Sequence, residues 1–172
     1  MSGELSTIRD VALGHEGMEH PYGYDSRTEL ARRVASPLGG PYARRMATLA
    51  DVMTEDVVTV EPSDTIGEAA EKMTGAGVGA VVVSDFGRMI GIFTERDLMR
   101  AVAGRVHSSE ARVREWMTPD PVTMPADASV EDAGETMIER GFRHIPVVAG
   151  ERAIGIVSIR DVAEWRLKER SD

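Results

Sequence analysis

Two segments place a hydroxyl and a carboxylate three residues apart: Gly91-Ile92-Phe93-Thr94-Glu95-Arg96-Asp97 and Gly155-Ile156-Val157-Ser158-Ile159-Arg160-Asp161. At a helix start this spacing stacks the two groups one turn apart. A carboxylate held there can accept hydrogen bonds from both hydroxyls of a vicinal diol, as acidic residues of dinucleotide folds do with a ribose. The same spacing is also an ordinary capping box, in which hydroxyl and carboxylate satisfy the helix's own N–H groups. The residues alone leave both readings open. Arg143-His144, ahead of an apolar run, offers two nitrogen-bearing side chains that suit a phosphate or equally a solvated strand start.

These segments belong to an internal repeat. Displaced by 64 residues, Met53-Thr54 falls on Met117-Thr118, Val58-Thr59 on Val122-Thr123, and Ile90-Gly91-Ile92 on Ile154-Gly155-Ile156. From Met53 to Asp97 the copies align without a gap and share 16 of 45 positions. Unrelated sequences of this composition would share roughly three. The chain carries a duplication.

Each copy predicts the same run of elements. Val57 to Val60, or Pro121 to Met124, reads as a short β run. Thr65-x-x-Glu68 and Ser129-x-x-Asp132 fit capping boxes, and Ile66, Ala69, Ala70 and Met73 then trace one helical face. Gly75 and Gly77, or Gly141, are expected to end that helix. Val78–Ser84 and Phe142–Val148 read as buried strands. Turns at 85–88 and 149–152 lead into third strands, Met89–Phe93 and Ala153–Val157, and a second helix starts at Thr94 or Ser158. The expected unit is β-α-β-β-α, twice, an α/β (α+β) fold in which both copies pack pseudo-symmetrically as one body.

This order and these motifs resemble the tandem pair of cystathionine-β-synthase (CBS) domains. The strings that carry the resemblance are DVMTEDVVTV, GAVVV and GIFTERD in the first copy, and EWMTPDPVTM, RHIPVV and GIVSIRD in the second. It covers about residues 49–168, dividing into a first repeat (49–106), a linker (107–110) and a second repeat (111–168), with an arm at 1–48 and a tail at 169–172. The resemblance implies a non-catalytic, regulatory module that binds adenosine-containing nucleotides such as AMP, ADP or ATP between the copies. It makes Asp97 and Asp161 ribose ligands, with Thr94 and Ser158 able both to cap and to bind. Arg143 and His144, and beside the ribose sites Arg96 and Arg160, become phosphate ligands. Val58, Thr59, Val122, Thr123, Val81 and Ile145 become candidates for an adenine slot. Gly79 and Ala80 stand where the second copy has Arg143 and His144, so the two clefts are expected to be unequal.

Alternatives follow other residues. The clefts can be empty in a purely structural or interaction module, or take NAD or S-adenosylmethionine. A metal protein would rest on His15, Glu16, Glu19 and His20, but His15 and His20 are five apart and fall on different helix faces. Gly75-Ala76-Gly77-Val78-Gly79-Ala80 matches a dinucleotide fingerprint in letters only, because it follows a helix and opens a strand. No phosphate loop of the hydrolysing kind occurs, and no nucleophile–base pair is assembled.

Composition narrows the partners. The net charge of −9 lies entirely in residues 49–172, which disfavours a polynucleotide partner. No apolar run has the ~20 residues of a membrane helix. Cysteine is absent and MSGELSTIRD does not read as a secretory signal, so a cytoplasmic protein is expected. Met73, Leu98, Met137, Val162 and Trp165 give the helices more apolar surface than one core is expected to need, which points to a homodimer. Tyr22-Gly23-Tyr24, Arg32-Arg33 and Arg44-Arg45 in the arm match no motif.

Overall fold

A computed structural model describes residues 46–169, which fall within one compact unit. The first repeat contributes β1 (Thr59–Val60), α1 (Ile66–Ala76), β2 (Ala80–Asp85), β3 (Arg88–Thr94) and α2 (Glu95–Ala103). A four-residue helix, α3 (Val113–Trp116), leads to β4 (Thr118–Pro119). The second repeat continues with α4 (Val130–Arg140), β5 (His144–Ala149), β6 (Arg152–Ser158) and α5 (Ile159–Glu169). This is the expected mixed α and β architecture, with both repeats in it.

Local chemistry sets the boundaries. Thr65 caps α1 by accepting from the Glu68 N–H, and Glu68 returns the bond to the Thr65 N–H at 2.8 Å. Ser129 caps α4 at 3.1 Å, but Asp132 does not reciprocate, so that expected box is half formed. α1 ends at Gly77 and α4 at Gly141, with φ of 67° and 72°, left-handed values that exclude most side chains. Gly75, expected to stop α1, lies inside it. The β run expected at 121–124 reduces to one parallel bridge, Met124 to Val147. Pro121 and Pro125 on either side have no N–H to donate to a ladder.

The repeats exchange their leading segments. β4, from the start of the second repeat, completes the sheet of the first in the order β1-β2-β3-β4, pairing Thr118 with Ile92. The start of the first repeat does the same for β5 and β6: Thr54 and Ile156 exchange both backbone hydrogen bonds at 3.0 Å. Side chains follow the backbone. Leu49, in the first repeat by sequence, is fully buried in the second core with Met124, Val130, Ala133, Met137, Ile145, Val147 and Val157. Val113 is fully buried in the first core with Val60, Ile66, Ala69, Met73, Val81, Val83, Phe93 and Ala101. The sequence repeats and the packed lobes therefore divide the chain differently.

The contact that fixes each exchange is a methionine on a glycine. A Cβ on Gly91 would stand 2.8 Å from Met117 Sδ and 3.0 Å from the Thr118 carbonyl. A Cβ on Gly155 would collide with Met53, whose Cγ and Cβ would stand 3.0 and 3.2 Å away. The segment expected as a linker is also anchored, since the Gly67 N–H donates to the Ser108 carbonyl at 2.9 Å.

The helices use their apolar residues differently from expectation. Met73 and Met137 are buried, and Leu98, Val162 and Trp165 pack against the cores, so none is surplus. Met99, Val102, Ile138 and Leu167 are exposed instead.

Gly155→Ala is expected to destabilise the chain by about 1–3 kcal/mol through overpacking. Met53→Ala should recover part of that loss in the double variant, and a urea-unfolding double-mutant cycle over the four proteins measures the coupling. Strictly additive losses would mean that Met53 and Gly155 do not share the contact.

Candidate functional site

Both hydroxyl–carboxylate motifs sit at strand-to-helix junctions. At the β3–α2 junction Asp97 Oδ2 accepts from the Thr94 N–H at 3.0 Å and from the Thr94 hydroxyl at 2.7 Å. At the β6–α5 junction Asp161 Oδ2 accepts from the Ser158 N–H and hydroxyl, both at 2.7 Å. The capping reading is thus realised in both copies. It does not exhaust either carboxylate, because each oxygen has two acceptor positions. The first helical N–H of each helix is drawn in the same way: Glu95 donates to the Gly79 carbonyl at 3.0 Å, and Ile159 to the Arg143 carbonyl at 2.9 Å.

The exchange of leading segments creates a cleft of about 370 Å³ between the repeats. The first repeat lines it with Gly79, Ile92, Thr94, Glu95, Arg96, Asp97 and Arg100. The second lines it with Thr118, Asp120, Pro121, Val122, Phe142, Arg143 and His144. The motif of one repeat therefore faces the basic pair of the other. The Arg96 guanidinium also crosses between repeats, donating to the Gly141 carbonyl at 2.9 Å.

The expected site residues divide into groups. Thr94, Arg96, Asp97, Val122, Arg143 and His144 meet in this cleft. Ser158 and Asp161 form their own junction outside its lining, and Arg160 turns outward to Glu164 at 3.0 Å. Val58, Thr59 and Thr123 do not line it. Val81 and Ile145 do not line it either, since both are fully buried in the cores. Strand alternation within a sheet covered by helices sends them inward. His15, Glu16, Glu19, His20 and the arginine pairs of the arm lie outside the described residues. Among the described residues no cluster of three or more His, Asp or Glu could hold a metal ion.

Sequence reasoning missed Glu95, Arg100, Asp120 and Phe142. Arg100 had a signal, since it stands one turn beyond Asp97 on the same helix face. Asp120 and Phe142 had none, because only the exchange brings them to Asp97. Asp120 is also one of three described non-glycine residues with positive φ, at 43°.

His144 lines the cleft and is partly buried there. Its imidazole lies against Gly79, where an added Cβ would be 3.5 Å from Nε2. Burial and then the Arg143 charge depress its pKa, while Glu95 and Asp161 oppose them less strongly.

Comparison with known proteins bears on the whole unit. The family model described as the CBS domain matches twice, at residues 49–104 and 113–168. The chain belongs to the CBS-domain family. An uncharacterized 17.7 kDa protein of Acidianus ambivalens is 40% identical over 121 residues, 69% of this chain and 73% of its own length. The crystal structure of the CBS-domain containing protein ATU1752 from Agrobacterium tumefaciens is similar at 41% identity and a TM-score of 0.66, covering 70% of this chain and 99% of that one. A CBS domain pair of protein MJ0100, 24% identical with a TM-score of 0.66, covers 74% of this chain and 99% of that one and shares the fold. That pair was solved with 5′-methylthioadenosine and S-adenosyl-L-methionine. CBS pairs of this fold thus include a binder of adenosine-type ligands. No helix among the described residues of this chain is long and apolar enough to cross a membrane.

The lowered pKa of His144 fixes a sign. The folded chain prefers the neutral ring, so its contribution to stability is present above the ordinary histidine value near 6.5 and is lost as pH falls towards the lower folded value. The urea midpoint is expected to fall between pH 7.5 and about 5.5 in the wild type and to fall less in His144→Gln. Identical profiles would remove His144 from the pH dependence.

Proposed function

We propose that the cleft binds an adenine nucleotide of the AMP, ADP or ATP class, and that the chain is a non-catalytic regulatory module responding to it. The observation that carries this reading is the meeting of Thr94 and Asp97 from one repeat with Arg143 and His144 from the other across a single cleft. A nucleotide needs a diol acceptor, an anion site and an apolar slot arranged in sequence. Asp97 Oδ1 offers the first, with one acceptor position open beside Arg100, which donates to it at 3.2 Å. Arg143 and His144 supply the second, and Arg96 is within the same lining. Ile92, Val122 and Phe142 supply apolar surface for the base.

Local donors must hold the anion against the overall charge of −9, and here they do so within one cleft. The equivalent positions of the first repeat, Gly79 and Ala80, have no donor side chains, so a junction built on Ser158 and Asp161 has less to offer a phosphate. The family membership and the adenosine-type ligands of the MJ0100 pair support the adenosine moiety of the ligand, while the phosphate rests on the cleft's own basic residues.

Titration calorimetry of the purified chain with adenosine, AMP, ADP, ATP, NAD and S-adenosylmethionine tests this. In the variant Arg143→Ala/His144→Ala, ATP affinity is expected to fall by about 1.5–3 kcal/mol per lost charged contact while adenosine affinity holds. ATP binding should tighten as pH falls through the histidine range, because an anion beside His144 favours the protonated ring. Equal losses for adenosine and ATP would sink the phosphate role. Absence of binding by every adenosine compound would favour an interaction module.

The chain also pairs with a second copy in this reading. The exposed Met99 and Val102 of α2, with Ile138 of α4 and Leu167 of α5, supply the apolar helix surface. Light scattering is expected to give a mass near twice 18.7 kDa at micromolar concentration. A monomer mass would exclude the pairing.

A further inference from the structure

The acceptors of Asp97 are almost fully engaged. Its side chain is 5% exposed, Thr94 takes Oδ2 twice, and Arg100 Nη1 holds Oδ1 at 3.2 Å. The second repeat lacks this last contact. Glu164 stands in the place of Arg100 and receives Arg160 at 3.0 Å instead. Among the described residues no group hydrogen-bonds to Asp161 Oδ1. Arg100 is therefore a feature of one motif only, and 56% of its side chain is exposed while lining the cleft.

We propose that Arg100 makes the cleft select phosphorylated adenosine ligands over the bare nucleoside, by moving from Asp97 to the ligand's phosphate as the ribose diol takes its place. This rests on the nucleotide reading of the cleft. The reasoning is a count of acceptor positions. Each carboxylate oxygen accepts two hydrogen bonds, and Oδ2 of Asp97 already has both. Oδ1 keeps one free position beside Arg100, whereas a diol brings two donors. Full engagement of the diol requires the guanidinium to leave.

What the guanidinium then meets decides selectivity. Glu95 and Asp120, the other carboxylates of the cleft, are exposed and therefore well solvated, so they replace little of the lost pairing. A phosphate presents concentrated charge in a geometry that the guanidinium fork matches. A nucleoside displaces Arg100 and gives it nothing. A nucleotide displaces it and supplies a new anion. The change is an exchange of ionic partners, with no bond made or broken.

The test is titration calorimetry of the full chain as wild type, Arg100→Met and Arg100→Lys, each with adenosine and with ATP, beside thermal melts. Arg100→Met is expected to bind adenosine about fivefold tighter, because Oδ1 is no longer occupied. The same variant binds ATP about tenfold weaker, having lost the phosphate contact. Arg100→Lys, which keeps the charge, returns ATP affinity to within about fivefold of wild type. If the wild type binds both ligands and Arg100→Met shifts them equally or not at all, Arg100 is only a helix ion pair, and the nucleotide reading stands without it. If neither wild type nor variants bind an adenosine compound, the nucleotide reading falls and this inference falls with it. Should Arg100→Met fail to melt cooperatively, Arg100→Gln, which removes the charge but keeps a polar head, takes its place, and equal shifts for adenosine and ATP overturn the exchange.

Discussion

The thioethers of Met53 and Met117 lie on Gly155 and Gly91, and the rest of the structure depends on that pair of contacts. A side chain on either glycine would lift the leading segment of one repeat off the sheet of the other. With the segments seated, Leu49 and Val113 close cores belonging to the opposite copy, and Thr118–Val122 is carried to the start of α2. The cleft is a by-product of this packing. Its wall is assembled from both repeats because each repeat's edge is covered by the other's beginning. Dense packing makes such a seat sensitive to a single methyl group.

A second constraint acts at the helix starts. The groups that could grip a ribose are the groups that cap α2 and α5, so the site is preorganised by the same hydrogen bonds that hold the fold. A bound diol would add donors to carboxylates already oriented by Thr94 and Ser158. The two motifs reach this state with different surroundings. Asp97 is buried and answered by Arg100, whereas Asp161 is partly exposed and Arg160 turns outward to Glu164. Duplication supplied two identical frames, and side-chain divergence gave them different charge environments.

Much of this was legible in the sequence because it is local. The offset of 64 residues carried the starts of α1, α2, α4 and α5, though not of the short α3, and Gly77 and Gly141 announced helix ends. Thr65 and Glu68 formed their box as written, while Asp132 did not, since capping depends on a rotamer that spacing alone does not choose. The central strands were legible from their apolar runs, and Val81 and Ile145 within them are completely buried, apart from the residues that line the cleft. The partner of each core was not legible. Apolar periodicity tells that Leu49 and Val113 are buried, not which copy buries them. For that reason the union of Asp97 with Arg143, His144 and Phe142 followed only from the three-dimensional exchange.

Reciprocal completion has a consequence for how such a chain can have arisen. A single repeat on its own would carry a leading segment with no place in its own core and a sheet edge with no cover. Two separate copies would cure both defects by trading segments, which is a domain-swapped dimer. The anchored stretch around Ser108 joins two such halves in one chain. Association that would otherwise depend on protein concentration becomes intramolecular, at an effective concentration of order millimolar or above. Once fused, the halves no longer have to be identical, and a basic pair can be placed on one side of the symmetry axis and a glycine on the other.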